Sequence, residues 1–191
     1  VAEYGKALEK DSDQVDIWRE IADAYELKND YAQAITAYQK YYDALSQDKK
    51  TAESLFQLGR LYYGQGTSSD TLSVRPADRA TALQAADSVF ALVARQAPDS
   101  YLGDMWRART NSAMDPETTE GLAKPYYEKV AEMLLAKNEP RYNSALIECY
   151  SYLGYYYLLK SNYPVSKEYW NKILAIDPTN ATAKKALDGI K

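Results

Sequence analysis

Apolar and aromatic positions recur every three or four residues along nearly the whole chain, the spacing that lines up side chains on one face of an α-helix. In the first such stretch Ile17, Trp18, Ile21, Ala24, Tyr25 and Lys28 keep it. Asn29-Asp30 interrupts the stripe, with Asp30 a good N-cap, and Ala34, Ile35, Tyr38, Tyr41, Tyr42 and Leu45 form a second one. Two amphipathic helices joined by so short a break predict a helical hairpin. No run of strand-like alternation is convincing, so the expected class is all-α.

The hairpin returns near the C-terminus. Tyr150, Leu153, Gly154 and Tyr157 make a first stripe there, Asn162 caps, and Ser166, Trp170, Ile173 and Leu174 make a second that stops at Asp177-Pro178. Residues 52–100 hold a split copy: Leu55, Leu58, Gly59 and Tyr62 repeat the first stripe, Ala86, Phe90, Val93 and Pro98 the second, and fifteen extra residues separate them. Gly64-Gln65-Gly66-Thr67-Ser68-Ser69-Asp70 reads as loop, and the long connection is expected to run from Gly64 to Ala77. Residues 101–146 are the least regular copy, with Ala108 at the small position and Ala123, Tyr127 and Val130 as second-helix matches. Arg107 stands there where Leu is expected, and Pro125 predicts a helix start or a kink. Tyr4 and Ala7 fit the second helix of a preceding hairpin, and residues 181–191 read as a closing helix. On this reading the chain begins in mid-repeat, as a piece of a longer protein.

These offsets resemble the tetratricopeptide repeat (TPR), about 34 residues with a large residue at the fourth position and then Leu-Gly, Tyr, Ala, an aromatic, Ala and Pro. Residues 147–180 carry the pattern as Tyr150, Leu153, Gly154, Tyr157, Ser166, Trp170, Ile173 and Pro178. Residues 15–51 carry it as Trp18, Ile21, Ala22, Tyr25, Ala34, Tyr38, Tyr41 and Ser46, with three extra residues at the end. The resemblance implies a single domain over 1–191, a right-handed superhelical solenoid of TPR-like helix-turn-helix repeats. Its parts are a partial repeat at 1–14, repeats at 15–51, 52–100, 101–146 and 147–180, and the closing helix.

The resemblance also implies a concave groove lined by the second, fifth, ninth and twelfth positions of each first helix. Carried onto this chain, these are Asp16, Arg19, Asp23 and Glu26; Glu53, Phe56, Arg60 and Tyr63; Leu102, Met105, Arg109 and Ser112; and Glu148, Ser151, Tyr155 and Leu158. The ligand-groove candidates among them are Arg19, Asp23, Phe56, Arg60, Tyr63, Met105, Arg109, Ser151 and Tyr155. Some TPR proteins clamp chaperone C-termini with lysines and asparagines, but here the ninth positions are Asp23, Arg60 and Arg109, so that clamp is not expected.

Charge narrows the partners. Acidic residues outnumber basic ones 27 to 23, for a formal charge of −4, which removes the basic field of a phosphate-tracking protein and argues against nucleic acid. The longest apolar stretch, around Cys149 to Leu159, falls far short of the ~20 residues of a membrane helix, so membrane insertion is not expected. Between Thr51 and Ala123 there are six arginines and no lysine. Arginine forks onto carboxylates, so Arg60 and Arg109 either receive an acidic group of a ligand or pair with carboxylates on adjacent helices.

Histidine is absent, and the lone Cys149 cannot form an internal disulfide or a zinc cluster, so no metal, cofactor or catalytic residue is expected. Asp115-Pro116-Glu117-Thr118-Thr119-Glu120 reads as a turn rather than a metal loop. The 19 tyrosines against 2 phenylalanines must largely pack structure, and Tyr155-Tyr156-Tyr157 must point three ways around a helix. The expected function is a non-catalytic scaffold that binds a protein or peptide along the groove. The alternative is an accessory docking or dimerisation domain of a larger enzyme or signalling protein. Resemblance to tyrosine-rich bacterial TPR proteins, many of them exported, leans toward the periplasm, while one cysteine fits the cytoplasm equally.

Overall fold

A computed structural model describes residues 15–69 and 75–190. The expected partial repeat at 1–14, with Tyr4 and Ala7, lies outside the described residues, as do positions 70–74 of the long connection. The first stripe forms α1 (Val15–Glu26) and the second α2 (Tyr31–Ala44). Between them Asn29 turns the chain with a φ of 57°, and the Asp30 carboxylate accepts the Gln33 N–H at 3.3 Å, so the capping group read from sequence does cap. Three further hairpins follow: α3 (Ala52–Thr67) with α4 (Pro76–Gln96), α5 (Leu102–Met114) with α6 (Lys124–Lys137), and α7 (Asn143–Leu159) with α8 (Tyr163–Ile176). The closing helix is α9 (Ala181–Gly189), capped by Asn180. Among the described residues there are nine α-helices and no strand.

The described helices form two compact units divided after Ala97, α1 to α4 and α5 to α9, and within each unit every described helix packs on its neighbours in sequence. Ala22, Ala34, Ile35, Tyr38, Leu58 and Leu61 are buried in the first, where Phe90 is fully enclosed between α3 and α4. Tyr127, Val130, Leu134, Leu153, Trp170 and Ile173 are buried in the second. The repeat's small position does the same job twice. A Cβ added at Gly59 would stand 2.6 Å from the Phe90 ring, and one added at Gly154 would stand 2.7 Å from Trp170. Each glycine therefore lets the aromatic of the second helix lie directly against the backbone of the first.

Two expectations about the chain path are corrected. Gly64 and Gly66 are not loop but the last turns of α3, and Pro76 and Ala77 already belong to α4. Glycine serves close packing here: a Cβ at Gly64 would run into the Tyr31 ring, and one at Gly66 would stand 2.5 Å from Leu83. Asn162 occupies the N-cap position of α8, but its side chain makes no capping hydrogen bond. Pro125 sits in the first turn of α6 and starts that helix without kinking it.

The turn after α5 is held by one buried carboxylate. Asp115 accepts the backbone N–H groups of Thr119 at 3.0 Å, Glu120 at 3.0 Å and Gly121 at 2.7 Å. Burial alone would raise its pKa, but these N–H donors outweigh it and hold the carboxyl below its usual range. The segment thus behaves as a structural turn. No described helix is long and apolar enough to cross a membrane.

Candidate ligand groove

In the first unit the polar faces of α1 and α3 look onto a common space. Arg19, Asp23 and Glu26 follow one another at helical spacing on α1, and Glu53, Gln57 and Arg60 do so on α3. With Tyr38 and Tyr41 of α2 they line a cavity of about 500 Å³. Lys49 and Thr51 complete its edge. Lys49 comes from a 3-10 turn, Gln47–Lys49, which falls in the stretch where the first repeat exceeds its usual length.

Tyr38 is nearly buried and donates its hydroxyl to the Ser54 carbonyl at 3.1 Å. Burial above all, then Tyr41, Asp23 and Glu53, raise its pKa against the opposing charge of Arg19, so it stays a neutral phenol. Around it the charges are largely uncommitted. Arg60 approaches Glu26 at 3.6 Å and donates to the Gln57 side chain at 3.2 Å. The Arg19 guanidinium lies 6.0 Å from the centroid of the Tyr41 ring. Among the described residues, Arg19, Asp23, Lys49 and Glu53 make no ion pair.

The second unit shows the opposite arrangement. Arg109 of α5 forks onto Glu148 of α7, Nε to Oε1 at 2.8 Å and Nη2 to Oε2 at 2.7 Å. The Tyr127 hydroxyl adds a third donor to Glu148 at 3.3 Å, and the guanidinium lies 5.1 Å from the Trp106 ring centroid. A bidentate pair supported on both sides is a fixed clip between successive first helices. Beneath it Cys149 is fully buried, and burial foremost, with the Glu148 charge, pushes its thiol up to about 12, which makes it inert.

No family model and no curated protein matches the sequence. Among solved structures the chain is similar to the C-terminal part of a TPR repeat-containing protein from Cytophaga hutchinsonii, with 32% identity and a TM-score of 0.78. The match covers 97% of this chain and 65% of that one, so this chain spans less than two thirds of that structure's length. The fold is a TPR-like all-α repeat.

Arg19, Asp23 and Arg60 come together at the cavity of the first unit, accompanied by Glu26 and Glu53. Phe56 is half-buried and packs against Phe90, with ring centroids 5.8 Å apart, and Tyr63 is not among the cavity's lining residues. In the second unit Met105 is a correction: at 1% exposure it belongs to the core, because its turn of α5 faces inward with Ala108. Ser151 is half-buried, while Tyr155 is 43% exposed. Arg109 follows the ion-pair reading rather than the ligand reading, since its fork is filled by Glu148. Lys49, Gln57, Tyr38 and Tyr41 were not anticipated at the cavity. The repeat pattern assigns both tyrosines to packing, and nothing in it accounts for extra residues after the second helix.

Proposed function

We propose that this TPR-like chain is a non-catalytic interaction scaffold that takes a peptide segment of a protein partner in the cavity between α1, α2 and α3. The observation that carries the reading is the cavity of about 500 Å³ lined largely by first-helix side chains, at which Arg19, Asp23, Lys49 and Glu53 have no ion-pair partner among the described residues. Its volume lies within the range of ordinary ligand sites. Its polar groups are preset by helices, and TPR-like repeat folds are typically non-catalytic.

The test compares cavity and control variants for a recovered partner. Arg19→Glu and Gln57→Arg alter the lining, whereas Lys185→Glu alters the exposed side of α9. Binding measured by calorimetry is expected to weaken by ~1 kcal/mol or more for each cavity variant and to stay unchanged for the control, with all melting temperatures preserved. Equal binding by all three removes the cavity from the interaction.

A further inference from the structure

The charges at the cavity of the first unit are balanced. Three cations, Arg19, Lys49 and Arg60, face three carboxylates, Asp23, Glu26 and Glu53. Only Arg60 and Glu26 lie within ion-pair distance of each other, and that contact is a single one at 3.6 Å. Arg19 and Asp23 stand one turn apart on the same helix without pairing, and Arg19, Asp23 and Glu53 all act on the one phenol of Tyr38. Opposite charges thus border the same space and remain apart. The charges that line the space therefore remain available to a ligand.

A ligand of one sign meets an equal number of repelling groups here. A run of acidic side chains that reaches Arg19 or Lys49 must also approach Asp23 and Glu53, and a basic run has the converse difficulty. Like charges brought together at such a site oppose binding as opposite charges favour it. A segment that presents a basic and an acidic side chain side by side satisfies both sets. The half-exposed ring of Tyr41 offers apolar surface beside them.

We infer that the cavity selects a mixed-charge peptide, one carrying a Lys or Arg next to an Asp or Glu, over acidic or basic runs. This rests on the peptide-binding reading above and deepens it. The salt response follows from the same balance. With no net charge at the site, long-range steering is weak, and the preference among peptides is set by contact.

The experiment is an amide NMR titration of the full chain with short end-capped peptides of equal length. Each contains a Tyr flanked by a Lys and a Glu, by a pair of Glu, by a pair of Lys, or by a pair of Gln. The Lys/Glu peptide is expected to shift amides of α1 and α3 around Arg19, Glu53 and Gln57, and to bind about fivefold more tightly than either single-sign peptide. Glu53→Lys is expected to move the preference toward the paired-Glu peptide and Arg19→Glu toward the paired-Lys peptide. Circular dichroism checks that both variants keep the wild-type fold. If any other peptide binds the wild-type cavity as tightly as the Lys/Glu one, the inference is wrong while the peptide-binding reading stands. If no peptide shifts those amides, both are wrong.

Discussion

At the residue scale, the repeat's small position is also where packing is tightest. Replacing Gly154 by Ala gains helix propensity of about 1 kcal/mol but drives a methyl into Trp170, which is itself 4% exposed and has no room to retreat. The expected net result is a loss of about 1–2 kcal/mol, and the same for Gly59→Ala against the enclosed Phe90. Gly64→Ala meets Tyr31, a half-exposed ring that can swing aside, and is expected to be close to neutral. Urea unfolding of the three variants checks this order. Leu153, with no exposed surface, should cost about 2–5 kcal/mol when cut to Ala. Asp115 adds a pH dependence. Its folded pKa is depressed, so its contribution is fully present above the unfolded carboxyl value and is lost as pH falls through the folded one. Asp115→Asn should therefore destabilise by about 1–3 kcal/mol at neutral pH, and the gap to wild type should narrow below about pH 4. A gap that stays constant down to pH 3 would show that the N–H bonds to Asp115 are not what stabilises the turn.

At the element scale, the hairpins were legible in the sequence because each buries a stripe whose period belongs to the helix alone. Asp30, Leu153, Trp170 and Phe90 all stand where that period places them, and even the irregular third copy buries Ala108, Tyr127 and Val130 as its offsets require. Sequence and structure part where one residue type serves two ends. Gly64 and Gly66 read as a turn because glycine tolerates turn conformations, yet they are helical because Tyr31 and Leu83 crowd their backbone, which only the packed structure reveals. Met105 stands at a groove position of the repeat but is buried, since an unbranched apolar side chain is equally at home in a core. The clip between α5 and α7 was half legible, since arginine in place of lysine suggested forked pairing but not which carboxylate fills the fork. A double-mutant cycle on Arg109→Ala and Glu148→Ala measures that pairing directly. A coupling of about 1 kcal/mol is expected, because both side chains keep about a third of their surface in solvent. A coupling near zero would leave the α5–α7 contact to packing alone.

At the scale of the whole molecule, the two units share one repeat architecture and differ in what they do with charge. The second closes Arg109 onto Glu148, whereas the first keeps Arg19, Lys49, Asp23 and Glu53 without ion-pair partners among the described residues. The second unit also builds its core from its own helices, α5 to α9. Residues 98–191 expressed alone should accordingly be helical and unfold cooperatively, as seen by circular dichroism and a urea titration. A gradual, non-cooperative loss of signal would mean that this core is not sufficient. If the cavity of the first unit is where a partner peptide lies, site-specific photo-crosslinking in the cells the protein comes from should capture that partner from inside it. A benzophenone side chain at Gln57, inside the cavity, is compared with one at Leu92, which is exposed on α4 outside it. A partner is expected to be captured from Gln57 and not from Leu92, with capture lost when Arg19→Glu is added. A partner captured from Leu92 but not from Gln57 would contradict that expectation.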